Sequence, residues 1–139
     1  MNYFIVNSNN KLNPSHSDEQ LMLNNSYVAI FDKNADRINW FYKGDIIFLF
    51  KNKVGIIGYG RVDGSPKFKE LKDGRKQGSQ KFTNLIILQT PLSTKEIEKI
   101  CGPMSFIQSA FKIQDDKGEA IINHLEVGQI RRPHLKLVA

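Results

Sequence analysis

The sequence has little of what metal-binding and disulfide-stabilised sites require. It contains one cysteine, Cys101, and three histidines that lie far apart in the chain, His16, His124 and His134. A single cysteine cannot form an internal disulfide, and these residues show no spacing typical of zinc ligands. Because disulfides mark oxidising compartments, the composition predicts a cytoplasmic protein, with no bound metal and no other cofactor.

Long apolar segments and nucleotide-binding glycine motifs are also missing. No run approaches the ~18 apolar residues of a transmembrane helix, and the N-terminus lacks the charged-then-apolar pattern of a secretory signal. The glycines at positions 55, 58, 60 and 64 do not spell a dinucleotide- or phosphate-binding motif. Neither secretion nor membrane insertion is predicted, and the length of 139 residues is that of one domain spanning 1–139.

Positive charge is what the sequence does have, and it is concentrated in two segments. The formal net charge is +6, and residues 61–81 hold seven basic and three acidic side chains, a net +4. Residues 127–139 add three basic residues and no acid. Basic segments on a near-neutral body indicate phosphate contacts, with a solvated loop and tail as the alternative. The predicted phosphate-binding residues are Arg61, Lys67, Arg75, Lys76, Lys81, Arg131 and Arg132.

Hydrophobic patterning predicts a small α+β domain. Capping patterns at Ser17, at Ser93 and at Asp115 or Asp116 predict three helices. Glycines in the second strand of the central hairpin indicate bending, which a small barrel needs. The predicted fold is a curved or closed mixed β-barrel of five to six strands, flanked by two to three helices. Its strands are predicted at residues 3–6, 27–31, 45–50, 54–62, 83–89 (ended by Pro91) and 106–113, with a basic loop before residue 83.

Candidate catalytic groups are few. Glu70-Leu71-Lys72 matches part of a metal-dependent nuclease motif, but it lies in a predicted loop, whereas such sites need rigid placement. Two adjacent acids at positions 115 and 116 are typical of a helix N-terminus. Ser15-His16-Ser17 has no acidic partner to orient the histidine. The sequence therefore predicts a protein that is not an enzyme.

Aromatic residues favour a binding role. The segment Ile38-Asn39-Trp40-Phe41-Tyr42 places three rings in a row before the central strand, so at least one points away from the core. Stacking on an aromatic ring contributes ~1–3 kcal/mol per base. Trp40 and Phe41 are therefore candidate base-binding residues, although packing in the core is the commoner role for each ring.

Several segments resemble known families. Residues 3–13 resemble the opening of YTH domains, with an aromatic-apolar strand, then Ser8-Asn9-Asn10, and a further asparagine at Asn13. Residues 38–43 and the hairpin after them are similar to the next block of that family. Lys43-Gly44-Asp45, Leu92-Ser93 and residues 106–125 are closer to the EVE domains of bacteria. Through these segments the chain is identified as a member of the PUA-like superfamily, of the EVE or YTH type.

The resemblance implies a reader of modified bases. In YTH domains the asparagine after the serine and the one four residues later bind the edge of a modified adenine. These positions correspond to Asn9 and Asn13, beside Ser8, with local backbone capping as the alternative. One aromatic wall of the pocket falls on Tyr27, and the second falls in the later segment that contains Phe68 and Phe82. Because Tyr27 stands where YTH domains have a tryptophan, the resemblance argues less for N6-methyladenine and leaves room for 5-methylcytosine or for a hydroxymethylated or glucosylated base.

We therefore expect a domain that captures a flipped modified base between residues 8–13 and the Tyr27 segment, in DNA rather than RNA. EVE-like domains are often joined to nuclease or ATPase modules of modification-dependent restriction systems, so the resemblance implies a targeting role beside such a fused or associated module. One alternative is a PUA- or ASCH-like module that reads RNA by shape. The other is an ASCH-type hydrolase or ribonuclease, with Lys43 and Asp45 as the pair to examine.

Overall fold

The computed structural model describes residues 1–8, 16–106 and 108–130. These residues form seven strands, three α-helices and one 3-10 helix. No helix among them is long and apolar enough to cross a membrane. In chain order the elements are β1 (Tyr3–Asn7), α1 (His16–Asn25), β2 (Tyr27–Phe31), the 3-10 helix (Asp32–Trp40), β3 (Ile46–Lys51), β4 (Gly55–Val62), β5 (Lys67–Glu70), β6 (Lys76–Leu92), α2 (Thr94–Cys101), β7 (Ala110–Ile113) and α3 (Asp115–Ile130).

One curved mixed sheet organises the chain. The strand order is β2-β6-β4-β3-β1-β7, and β5 pairs with the first residues of β6. β1 and β3 are parallel, whereas the other pairs among the described strands are antiparallel. The 17-residue β6 pairs with β2 and β5 over its first part and with β4 further on. The sheet curls into a half-barrel, which confirms the predicted fold class.

The apolar residues of β1 and β3 are buried on both faces of the sheet. Phe4 and Leu49 belong to the cluster inside the curl, together with Ile38 of the 3-10 helix. Ile5 and Phe48 point the other way, into a second cluster that also contains residues of α2 and α3. Because successive side chains of a strand alternate between faces, a nearly continuous apolar run is the pattern of a doubly covered strand. The prediction for residues 45–50 is confirmed.

β6 is the main departure from the prediction. It begins at Lys76, well before the predicted start at residue 83, and it continues through Pro91 to Leu92. Residues 67–70 form β5 and pair with β6, so the predicted basic loop is largely a pair of antiparallel strands. The prediction of a loop was wrong because these strands carry mostly polar side chains, and hydrophobic alternation is the signal by which strands are recognised.

Two further segments differ from their predictions. Residues 38–40 end a 3-10 helix instead of lying in a strand or turn, and Phe41 after it packs edge-on against Phe4, with ring centroids 4.7 Å apart. The last strand begins only at Ala110. The cap at Ser93 is confirmed, because its hydroxyl oxygen accepts a hydrogen bond from the Glu96 N–H at 3.2 Å.

We predict that Gly118→Ala destabilises the protein although it lies inside α3. Alanine favours a helix over glycine by about 1 kcal/mol, but a β-carbon at position 118 would collide with the ring of Tyr3, which is buried. Overpacking of a core typically costs about 1–3 kcal/mol, so the unfolding free energy should fall. Urea denaturation measures this, with exposed Glu119→Ala as the control. A more stable Gly118→Ala variant would contradict the packing of α3 on β1.

Candidate functional site

Three strands form a ribbon at one end of the sheet, namely β2, residues 76–81 of β6, and β5. Directly opposed residues on neighbouring strands point to the same face. Tyr27 pairs with Lys81, and Phe31 pairs with Gln77. Lys69 pairs with Gln77 from the other side. One face of the ribbon, here called the outer ribbon face, therefore carries Tyr27, Ala29, Phe31, Lys67, Lys69, Gln77, Ser79 and Lys81.

The opposite face of the ribbon is fixed on the 3-10 helix. A β-carbon at Gly78 would meet the carbonyl oxygen of Ala35, so strand and helix are in close contact. The Gln80 Nε2 donates to the carbonyl oxygens of Ile38 and Phe41, both at 2.8 Å. Its Oε1 accepts from the Gly64 N–H at 3.0 Å. Because this face is anchored, the directions of the side chains on the outer ribbon face are set.

The outer ribbon face is positively charged. Lys67, Lys69 and Lys81 are exposed there, and the face carries no acidic side chain. The acid of β5, Glu70, lies in register with Lys76. Three lysines on one face without acids produce a local positive potential that attracts anions.

A cation clamp closes one end of this face. The guanidinium of Arg75 donates to both carboxylate oxygens of Asp18, at 2.9 and 3.0 Å, and its Nε donates to Asp73 at 2.8 Å. The same guanidinium lies 4.8 Å from the ring centroid of Phe31. The hydrogen bond to Asp18 raises the pKa of Arg75 above its ordinary value, by more than burial lowers it. The clamp therefore holds the start of α1 on the turn between β5 and β6.

Two series of contacts connect the end of β1 to the region of the clamp. The Ser8 hydroxyl donates to the carbonyl oxygen of Phe50 on β3 at 3.2 Å. Lys51, which follows Phe50, forms an ion pair with Glu19 of α1 at 3.1 Å. Separately, Ser109 accepts a hydrogen bond from the Asn7 N–H at 2.8 Å and another from the Asn34 side chain at 3.1 Å.

The end of β1, the start of α1 and the Phe31 end of β2 therefore converge. We call this region the α1 rim and define it as Ser8, Asp18, Phe31, Arg75 and Gln77.

Three residues of the α1 rim were not identified from the sequence, namely Asp18, Phe31 and Gln77. Gln77 is the one with an unpaired polar atom. Its side chain is buried, with the residue 2% exposed, and its Oε1 has no hydrogen-bond partner among the described residues. Burying an acceptor without a partner costs about 1–3 kcal/mol, and few buried polar groups in native proteins are left so. Glutamine in an alternating polar strand is ordinary, so the sequence held no signal for this position.

The predicted base-binding residues fall into different regions. Ser8 lies on the α1 rim, whereas Asn9 and Asn13 lie outside the described residues. Tyr27 is half-buried at the far end of β2, four residues or about 13 Å from Phe31. Phe31, not Tyr27, is thus the aromatic residue of β2 that the clamp holds. Tyr27 as a wall of the pocket stays a prediction.

The remaining aromatic candidates lie outside the α1 rim. Phe41 is 2% exposed in the core, so its ring is not available to a base. Trp40 is 45% exposed, and the Arg37 guanidinium lies 5.1 Å from its ring centroid. Phe82 is buried in the core, whereas Phe68 is exposed on β5, on the face opposite the outer ribbon face.

The predicted phosphate-binding residues also separate. Lys67 and Lys81 are exposed on the outer ribbon face, and Lys76 is exposed opposite Glu70. Arg61 is exposed elsewhere and donates to the Gly44 carbonyl oxygen at 3.1 Å. Arg75 uses three of its five N–H donors within the clamp, and its contact with phosphate stays a prediction. Arg131 and Arg132 lie outside the described residues.

Lys43 and Asp45 were the pair to examine for an enzyme of the ASCH type, and the carboxylate of Asp45 is already engaged in hydrogen bonds. Asp45 is buried, and its two carboxylate oxygens accept the N–H groups of Asn2 and Tyr42, both at 2.9 Å. These bonds fix the turn before β3 and occupy the acid. Within the described ranges, no group of three or more histidine, cysteine or acidic residues could hold a metal ion.

The fold is shared with solved structures. The YTH domain of Mmi1 matches with 16% identity over 93% of this chain and 90% of that one, with a TM-score of 0.65. An ASCH protein from Zymomonas mobilis matches with 7% identity over 88% of this chain and 94% of that one, with a TM-score of 0.62. The fold is PUA-like. At these identities the likeness concerns the fold alone.

Comparisons of sequence add no relative to these structural matches. No protein-family model matches the chain, and neither does any curated protein sequence. The Mmi1 YTH domain in complex with RNA matches this chain with 15% identity over 94% of its length and 81% of that chain, with a TM-score of 0.61. The fold that the resemblance implied is thus present, whereas the EVE or YTH type stays a prediction.

We predict that Arg75→Ala lowers the unfolding free energy by about 3 kcal/mol, because it leaves the carboxylate of Asp18 buried without its partner. In a double-mutant cycle with Asp18→Asn, the double variant should be less destabilised than the sum of the two single variants. Chemical denaturation measures all three. Exposed Lys76→Ala on the same turn is the control and should change stability by less than about 0.5 kcal/mol. Strictly additive effects would show that the clamp contributes nothing.

Proposed function

We propose that the protein binds nucleic acid along the outer ribbon face and holds one modified base at the α1 rim, without catalysing a reaction. The observation that carries this proposal is the arrangement of exposed lysines on a single face, which ends at a rim with an aromatic ring, a planar cation and a buried amide.

The lysines would bind phosphates. Lys67 and Lys69 lie on β5, in register with Ser79 and Gln77 of β6. Lys81 lies on β6, in register with Tyr27 of β2. Contacts of lysine with phosphate release counterions and supply affinity that does not depend on sequence. Base-specific contacts must then supply the selectivity, and these are expected at the α1 rim.

The α1 rim offers the groups that a base requires. Bases stack on aromatic rings and on guanidinium planes, and here Phe31 and Arg75 are held together by the clamp. Flipping a base out of a duplex costs a few kcal/mol, which stacking and phosphate contacts can jointly offset. Residues 9–15 join Ser8 to α1 along the chain, so Asn9 and Asn13 stay our predicted contacts to the base edge.

For the carrier of the base we propose DNA with a modified adenine or cytosine, bound in the cytoplasm. The proposed role is the targeting module of a modification-dependent restriction system, fused to or associated with a nuclease or an ATPase. RNA is the second candidate, and one observation favours it: a YTH domain of similar fold has been solved in complex with RNA. Binding to matched DNA and RNA probes separates the two.

We expect Lys67→Ala, Lys69→Ala and Lys81→Ala to weaken binding to any nucleic acid. Each lost phosphate contact should make the slope of log K against log salt less negative by about 0.9 on duplex DNA or about 0.7 on a single strand. Fluorescence anisotropy at several salt concentrations measures both quantities.

The matched control for these variants is Lys95→Ala with Lys99→Ala. Both lysines are exposed on α2, which packs on the other cluster of the core. The control should bind as the unaltered protein does. If the control weakens binding as much as the lysine variants of the ribbon, the outer ribbon face is not the interface.

We also predict a preference of about tenfold or more, or ~1.4 kcal/mol, for one modified base over its unmodified counterpart at fixed salt. The probes are matched duplex and single-stranded oligonucleotides with one N6-methyladenine, 5-methylcytosine or 5-hydroxymethylcytosine. Asn9→Ala should abolish the preference without changing the salt slope. Tyr27→Ala tests the wall implied by the resemblance, and a larger loss there than in Phe31→Ala would place the base at the far end of β2. Equal binding of all probes would contradict a reader of modified bases.

A further inference from the structure

We infer that Gln77 reads the exocyclic amino group of the bound base, with its Oε1 as the hydrogen-bond acceptor. The substrate class would then be a modified adenine or cytosine that keeps at least one amino N–H, and bases with a carbonyl group at that position would be rejected. This inference rests on the proposed function and specifies the chemistry of the same site.

The first step is the missing partner of Gln77. Its Oε1 is buried without a hydrogen bond among the described residues. In Gln80, three positions further along β6, both the oxygen and the nitrogen of the side-chain amide form hydrogen bonds. The two glutamines lie on the same strand and differ in which face they occupy. The fold therefore satisfies such an amide where it serves packing, whereas the acceptor of Gln77 is buried and unpaired.

The second step is the position of Gln77. In register it lies between Phe31 on β2 and Lys69 on β5, and the side chains of all three share the outer ribbon face. Lys69 is exposed, whereas Gln77 beside it is buried, so a base reaches the acceptor only when the side chains that cover it move aside. Arg75, two residues before Gln77, is stacked on Phe31 and is 18% exposed in its side chain. A base at the α1 rim would thus meet a stacking group and a hydrogen-bond acceptor side by side.

The third step is the chemistry of the base edge. Adenine and cytosine carry an exocyclic amino donor, whereas thymine has a carbonyl acceptor in the corresponding place. N6-methyladenine retains one N–H, and 5-methylcytosine retains both. An acceptor that gains its partner only with an amino base rejects a keto base strongly, because the mismatch leaves two buried acceptors facing each other.

The test compares probes that differ in little more than the amino donor. One pair is an oligonucleotide with 5-methylcytosine or with thymine at one position, and the other has N6-methyladenine or N6,N6-dimethyladenine there. The unaltered protein should prefer the amino member of whichever pair it binds. Gln77→Leu should reduce affinity for that member by about tenfold and leave affinity for the other member unchanged or higher.

The matched control is Gln80→Leu, the same substitution on the same strand. It removes satisfied hydrogen bonds, so its unfolding midpoint in urea should fall, while its discrimination between the probes stays that of the unaltered protein. Gln77→Leu should unfold at the same or a higher urea concentration than the unaltered protein, because it removes an acceptor without a partner. If the midpoint of Gln77→Leu falls as far as that of Gln80→Leu, the Gln77 acceptor has a structural partner and the inference is overturned.

The remaining outcomes separate the inference from the proposed function. If the protein prefers a modified base and Gln77→Leu keeps the amino preference, Gln77 is not the reader and the proposed function stands. If the unaltered protein binds every probe equally or binds none, the proposed function fails, and the inference fails with it. Loss of affinity for both members of a pair in Gln77→Leu would also overturn it, since a reader of the amino group affects one member.

Discussion

The candidate site depends on the contact between Asp18, Arg75 and Phe31. Without it, nothing among the described contacts would fasten the start of α1 to the turn between β5 and β6. A bidentate pair with a guanidinium stacked on a ring is directional, and its geometry is matched poorly by lysine. Charged partners buried this deeply are costly to separate. Arg75 therefore fixes the start of α1 against the β5–β6 turn, while the Lys51–Glu19 ion pair and the buried Met22 hold the same helix on the rest of the fold.

The two faces of the ribbon show how polar residues are divided between structure and binding. On the inner face, the Gln80 side chain ties β6 to Ile38 and Phe41 at the end of the 3-10 helix and to Gly64 after β4, with one hydrogen bond to each. On the outer face, the lysines are exposed and Gln77 keeps an unpaired acceptor. Natural proteins tolerate such local cost where a site must meet a ligand. The same strand thus serves the core with one set of side chains and presents the other to a partner.

The sequence predicted most of the fold because burial leaves a pattern. The apolar run at residues 45–50 and the cap at Ser93 were recognisable from local residue types, and both are present. β5 and the first part of β6 were missed because they carry lysine and glutamine, whose alternation has no hydrophobic signal, whereas β2 beside them was predicted at its observed residues. The pairing of β6 is set by register with β2, which is distant in the chain.

The site was predicted only in part for related reasons. Lys67 and Lys81 were found through their charge, which is visible in any sequence. The role of Arg75 depends on Asp18, which lies 57 residues away along the chain, so charge alone suggested a phosphate contact. Phe41 was placed at the site because three adjacent rings cannot all be buried, but which ring turns inward depends on the 3-10 helix.

The most direct test of the central claim is the mapping of binding by NMR. The ¹⁵N-labelled protein would be titrated with an oligonucleotide that carries the preferred modified base, and backbone and side-chain amide shifts would be followed. The account predicts that the largest changes fall on the β5–β6 ribbon and the α1 rim, including the side-chain amide of Gln77, while α2 is unaffected. Changes confined to α2 and α3, or none at Gln77, would contradict it.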